Sequence, residues 1–155
     1  MTILRNRQQR TVGDLLKVPL DDRWHTYARV LPEPLVAFYD ARTDGDLDPE
    51  HVITRAVLFR LWVMNHAITS GRWRRVATLP LERELLEQPV FFKQDAIDPE
   101  SLSLYRDGQE IPATRVQCAG LERAAVWEPD HVEDRLRDHY LRQANKWTES
   151  LRLRE

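Results

Sequence analysis

The chain holds one cysteine, Cys118, so an intrachain disulfide is excluded and a packed core must carry stability. The expected setting is a reducing one, the cytoplasm. A thiol nucleophile needs a neighbouring base, and no histidine lies near Cys118 in the sequence, so it reads as a small core residue. Glycine is scarce, at 5 residues, which argues against a flexible linker array. Long hydrophobic runs are missing. The longest, around Val57 to Val63, is broken by Arg60 and falls well short of the roughly 20 residues that cross a bilayer. Residues 1–10 carry Arg5, Arg7 and Arg10 and lack the apolar centre of a signal peptide, so no membrane partner is expected. Neither sign of charge dominates. The formal net charge is −2, whereas dedicated nucleic-acid binders are usually basic because phosphate contacts dominate their affinity.

What is present suits one domain. The 155 residues match an ordinary domain length, and 42% hydrophobic with 31% charged residues implies a real core under a strongly charged surface. Residues 1–10 read as a flexible, loosely docked tail and residues 11–155 as a single domain. No repeat and no low-complexity segment is visible.

The first half is strand-rich. Val12 to Pro19 alternates through Leu16, Val18 and Leu20 and opens on Gly13-Asp14. After a turn at Asp21-Asp22-Arg23, Trp24 to Leu31 alternates again, and Pro32-Glu33-Pro34 breaks it. Leu35 to Tyr39 is a continuous apolar run, the pattern of a strand buried on both faces. An acidic loop, Asp40 to Asp48, leads to a short helix capped by Asp48 with Pro49 at its first position, ending near Arg55. Val57 to Met64 and Trp73 to Leu79 read as strands around a helical turn at Asn65 to Ser70. Pro80 to Gln88 reads as a short helix with Leu81 and Leu85 on one face.

In the second half, Val90 to Gln94 is a strand. Leu102, Leu104 and Ile111 flank a hairpin turn at Asp107-Gly108. Arg115 to Ala119 is a helical turn, and Leu121 to Trp127 fits strand or helix equally. Asp130 to Arg142 is the clearest helix, with Asp130 and Glu133 as a capping pair, Val132, Leu136 and Tyr140 as the apolar stripe, and Glu133 reaching Arg137 at i,i+4. The expected class is α+β: a small bent antiparallel sheet or SH3-like barrel with short helices and a C-terminal helix.

No catalytic signature stands out. Asp44, Asp46 and Asp48 have the D-x-D-x-D spacing of a calcium loop, but the positions that need glycine and glutamate hold Pro49 and Arg55. The acidic triplet reads as a solvated loop with a helix cap, or as a surface facing a basic partner. The five histidines, His25, His51, His66, His131 and His139, show no metal-ligand spacing, so neither a metal nor any other cofactor is expected. Arg72-Trp73-Arg74-Arg75 interleaves cations with an aromatic ring, which can stack single-stranded nucleic acid. It fits better a tryptophan buried on one strand face with arginines at the edge. Asp44, Asp46, Asp48, Arg72 and Trp73 are the candidate partner-binding residues, and Trp24, Trp62 and Trp127 the candidate core anchors. Residue chemistry favours a binding protein over a catalyst.

Several segments carry a family resemblance. Gly13-Asp14-Leu15-Leu16-Lys17-Val18-Pro19-Leu20 with Tyr27-Ala28-Arg29-Val30-Leu31 resembles the opening of the Immunity protein 26 family. Val57-Leu58-Phe59, Ser70-Gly71-Arg72-Trp73, Pro89-Val90-Phe91-Phe92 and Gly120 to Trp127 are similar to its later pattern. The resemblance spans roughly residues 11 to 150 and implies a bacterial immunity protein, made beside a polymorphic toxin that it binds and neutralises. The family's naming is joined with a HocA-type phosphotriesterase, which implies the alternative of a small phosphotriester hydrolase. Such hydrolysis relies on metal-activated water, with His25, His66 and His131 the residues to test. A nucleic-acid-binding domain working through Arg72 to Arg75 is the third reading.

Overall fold

The computed structural model describes residues 7–155. Four strands come first: β1 (Asp14–Pro19), β2 (His25–Val30), β3 (Leu35–Tyr39) and β4 (Val57–Val63). They pair as an antiparallel meander. β5 (Arg74–Thr78) returns along the free side of β1. A second group holds β6 (Phe91–Gln94), β7 (Leu102–Arg106), β8 (Gln109–Pro112) and β9 (Glu122–Arg123), and β10 (Val126–Trp127) rejoins the first. The result is a six-stranded sheet, β10-β4-β3-β2-β1-β5, and a four-stranded sheet, β8-β7-β6-β9.

The class is α+β, as expected, and both sheets stay open, so the barrel alternative is not realised. Neither sheet is purely antiparallel. β10 lies parallel to β4, and β9 parallel to β6. Both late strands arrive after a crossover through intervening elements, the connection a parallel neighbour requires.

Five helices lie among the described residues: α1 (Pro49–Val52), α2 (His66–Thr69), α3 (Arg115–Cys118), α4 (Pro129–Leu141) and α5 (Lys146–Ser150). The helix expected over Pro80 to Gln88 shrinks to a 3₁₀ turn at Arg83–Leu86. The ambiguous stretch Leu121 to Trp127 becomes the two short strands β9 and β10.

Alternation explains the core. Leu16, Val18, Ala28, Val30, Val36, Phe38, Leu61 and Val63 share one face of the large sheet with Trp73 and Trp127, packed under Val132 and Leu136 of α4. On the other face, Leu15, Tyr27 and Tyr39 pack with Val52 of α1, and Leu31, Leu35 and Ala37 with Leu85 and Phe91. β2 and β3 are therefore buried throughout. Cys118 is buried with Phe92 and Leu102. Of the tryptophans read as anchors, Trp127 is buried, while Trp24 and Trp62 are partly buried against the core.

Arg29 sits in the middle of β2 with no exposed surface. Its guanidinium donates to Glu82 at 2.8 Å, to the Leu79 and Pro80 carbonyls at 2.9 and 2.8 Å, and to the Tyr39 hydroxyl at 3.4 Å. Tyr39 in turn donates to Glu82. A buried charge is tolerable only when paired and hydrogen-bonded, and this cluster pins residues 79–82 over the second face. At the same seam Gly13 takes φ 96°, and a Cβ there would lie 2.8 Å from the Leu79 carbonyl oxygen. Only glycine fits that approach without strain. Asp107 and Gly108, at φ 48° and 78°, make the left-handed pair of the β7–β8 hairpin turn.

α4 begins earlier than its expected cap. Pro129 occupies the first turn, Glu128 takes the N-cap position without a side-chain cap bond, and Asp130 is already inside the helix. Glu133 is free of a capping role and does not pair with Arg137, which donates instead to Asp134 and, at 2.6 Å, to the Leu20 carbonyl. Trp147 docks back, its ring stacked 3.5 Å from His131 and its indole donating to Asp134 at 3.0 Å.

Of the tail expected at residues 1–10, residues 1–6 lie outside the described residues. Arg10 donates to the Leu31 and Leu35 carbonyls, both at 2.7 Å. The Gln8 carboxamide donates to the Trp73 carbonyl and accepts from the Arg75 amide at 3.1 Å.

Candidate functional site: a charged cleft at the β1–β2 turn

The β1–β2 turn is shaped by Asp21, whose Oδ1 accepts from the Arg23 and Trp24 amides at 2.8 and 2.7 Å. These bonds hold the Asp21 carboxyl below its ordinary range, because both stabilise the anion. The acidic loop is fastened alongside by a backbone bridge. His25 donates to the Thr43 carbonyl at 3.0 Å, and Thr43 donates back at 2.9 Å. Arg72 and Arg74 approach from the head of β5. Between the three segments lies an open cleft of about 460 Å³.

Its lining mixes charge. Asp21, Asp22, Asp44 and Asp46 face Lys17, Arg23, Arg72 and Arg74, with Trp24 and His25 among them. Lys17 meets Asp46 at 3.0 Å and Arg23 meets Asp44 at 3.4 Å. The Asp46 side chain is 89% exposed, and pairs this open are screened by solvent and contribute little, so they exchange readily for a partner's groups. Lys17 nonetheless holds the Asp46 carboxyl low. Trp24 attracts two cations, with the Arg42 guanidinium 4.4 Å and the Arg23 guanidinium 4.8 Å from its ring centre. Burial, helped by repulsion from Lys17, pushes the His25 pKa down. Its Nε2 lies 3.2 Å from the Tyr27 hydroxyl.

Arg72 differs from the other cations. Its Nε and an Nη bind the two oxygens of Glu133 at 2.8 and 2.7 Å, and the Trp73 indole donates to the same carboxylate at 2.8 Å. Arg72 is thus matched from behind, its own charge reinforced by Glu133. Asp21, Asp22, Asp44 and Asp46 share the mouth with Lys17, Arg23 and Arg74.

The fold therefore brings Asp44, Asp46 and Arg72 to one cleft. Asp48 lies outside it, at the start of α1, where it accepts from the Glu50 amide at 3.0 Å. Trp73 has no exposed surface. As a partner contact it is corrected: its ring belongs to the core beside Phe38, and it offers no face on which a base could stack. Lys17 and Trp24 join the cleft without having been singled out as contacts, and Arg74 joins it from the basic run Arg72 to Arg75. Asp21, Asp22 and Arg23 were legible only as a turn.

The histidines are engaged separately. His66 pairs with Glu128 at 3.1 Å, His131 stacks on Trp147, and His25 meets Tyr27. Among the described residues, no group of three or more His, Cys, Asp or Glu side chains is gathered to hold a metal ion. No helix among them is long and apolar enough to cross a membrane.

The family model described as Immunity protein 26 matches residues 11–103. The chain belongs to the Immunity protein 26 family. The matched stretch runs from just before β1 into β7 and contains every residue lining the cleft. Glu133, which fixes Arg72 from α4, lies beyond it. No curated protein and no solved structure matches the chain.

Proposed function

We propose that the chain is a bacterial immunity protein that binds a cognate toxin and neutralises it in the cytoplasm of the cell that makes both. The observation that carries this reading is the family match over residues 11–103. The geometry supports a binding role: the match contains an open, charged cleft whose exposed ion pairs are easily exchanged. Asp44, Asp46 and Arg72 are the proposed contacts, and exposed Asp48 extends the acidic edge along the same loop. Neutralisation then works by occlusion, and complementary charge speeds encounter and rejects wrong partners.

The test is co-expression with the toxin domain encoded beside this chain. Stable co-purification and rescue of growth are expected. A toxin that stays fully active and elutes alone contradicts the proposal.

A further inference from the structure

A second groove, of about 410 Å³, opens where the two sheets meet. Its floor is aromatic. Trp62 of β4 lies 4.9 Å from Phe91 of β6 and 5.3 Å, edge-on, from Tyr105 of β7, measured between ring centres. Pro32, Pro34 and Pro89 wall it, and Val126, 53% exposed, stands at its lip. The charged residues that line it are Glu33 and Asp107, both acidic; no cation does.

We propose that this groove docks an extended segment of a protein partner that pairs proline or aliphatic side chains with an arginine. Three features converge on that chemistry. Polyproline-type segments have no internal hydrogen bonds and a preset backbone, so aromatic-lined grooves take them at low entropic cost. The two rim carboxylates attract a cation and repel an anion. The aromatic floor can itself attract a guanidinium. Lys93 illustrates the last point from outside the groove: its ammonium lies 4.7 Å from the Tyr105 ring centre while meeting Glu110 at 3.5 Å. The groove shares no lining residue with the charged cleft, so this inference goes beyond the toxin reading and is tested on the chain alone.

The experiment titrates ¹⁵N-labelled full-length chain with the peptide acetyl-Pro-Leu-Pro-Arg-amide, and with acetyl-Pro-Leu-Pro-Glu-amide as control. Trp62→Phe identifies the Trp62 indole signal. The arginine peptide is expected to shift that indole and the Gly108 amide, and the glutamate peptide to do so far more weakly. In the double variant Glu33→Gln with Asp107→Asn the arginine peptide should bind about two- to thirtyfold more weakly, the range for two exposed ion pairs. Asparagine keeps the left-handed turn at position 107, so the fold is preserved. Equal response to both peptides, an unaltered affinity in the double variant, shifts elsewhere, or no shift at roughly millimolar peptide would each overturn the proposal.

Discussion

Glu133 on α4 and Arg72 at the head of β5 form a two-point ion pair, 2.8 and 2.7 Å long, and the buried Trp73 indole adds a third bond to the same carboxylate. The triad ties the C-terminal helix to the wall of the charged cleft. Glu133→Ala removes the acceptor and leaves the buried indole N–H unpaired. A loss of about 2–4 kcal/mol in urea unfolding is expected, from an orphaned buried donor plus a broken charged pair. Arg72→Ala keeps the Trp73 bond but leaves the Glu133 carboxylate, whose side chain is 7% exposed, without its cation, so a loss of similar size is expected. A negligible cost for either variant would place the triad's contribution elsewhere.

His25 sets a pH dependence. Its folded pKa is lowered, chiefly by burial, so above the ordinary histidine value of about 6.5 it is neutral in both states and costs nothing. As pH falls through that value toward the folded pKa, the unfolded chain takes up the proton first, and stability is lost. The unfolding midpoint of the native protein should therefore drop from pH 7.5 to 5.5 more steeply than that of His25→Gln. Parallel pH profiles would show that His25 contributes nothing.

Gln8 guards an edge. β5 is the last strand of its sheet, and the Gln8 carboxamide meets the Trp73 carbonyl and the Arg75 amide as a neighbouring strand would. The register shift between Leu15 and Leu16 leaves Val76 bulged on the same strand, another device that spoils edge pairing. In Gln8→Ala, hydrogen exchange of the Arg75 amide should accelerate about fivefold, consistent with the roughly 1 kcal/mol of one hydrogen bond. Unchanged exchange would mean that the amide is protected by something other than Gln8.

Much of this fold is legible in local pattern. Leu35 to Tyr39 reads as a doubly buried strand and is one, because five apolar residues in a row leave no face for solvent. Asp107-Gly108 reads as a hairpin turn because left-handed backbone is demanded there and tolerated by those residues. What was not legible depends on distant partners. Glu133 looks like a cap or an i,i+4 ion-pair member until Trp73, sixty residues away in sequence, supplies a stronger claim. Arg29 looks like the polar side of an alternating strand, yet Glu82 and two carbonyls make its burial tolerable. The cleft shows the same division. The acidic loop announced Asp44 and Asp46, but the Asp21 turn and the β5 head reach it only through sheet order, since β5 pairs with β1 rather than with its predecessor in sequence.

Binding through the cleft is tested most directly by calorimetric titration of the chain with the toxin domain encoded beside it. Native protein is compared with the double variant Asp44→Lys, Asp46→Lys. Both substitutions lie on the exposed rim, where the lost pairs with Arg23 and Lys17 are screened by solvent, so the free chain should stay folded. The expected result is a tight complex for the native chain and at least roughly tenfold weaker binding for the variant, because juxtaposed like charges at an interface cost several kcal/mol. No heat of binding with the native chain, or an affinity that the charge reversal leaves untouched, would contradict it.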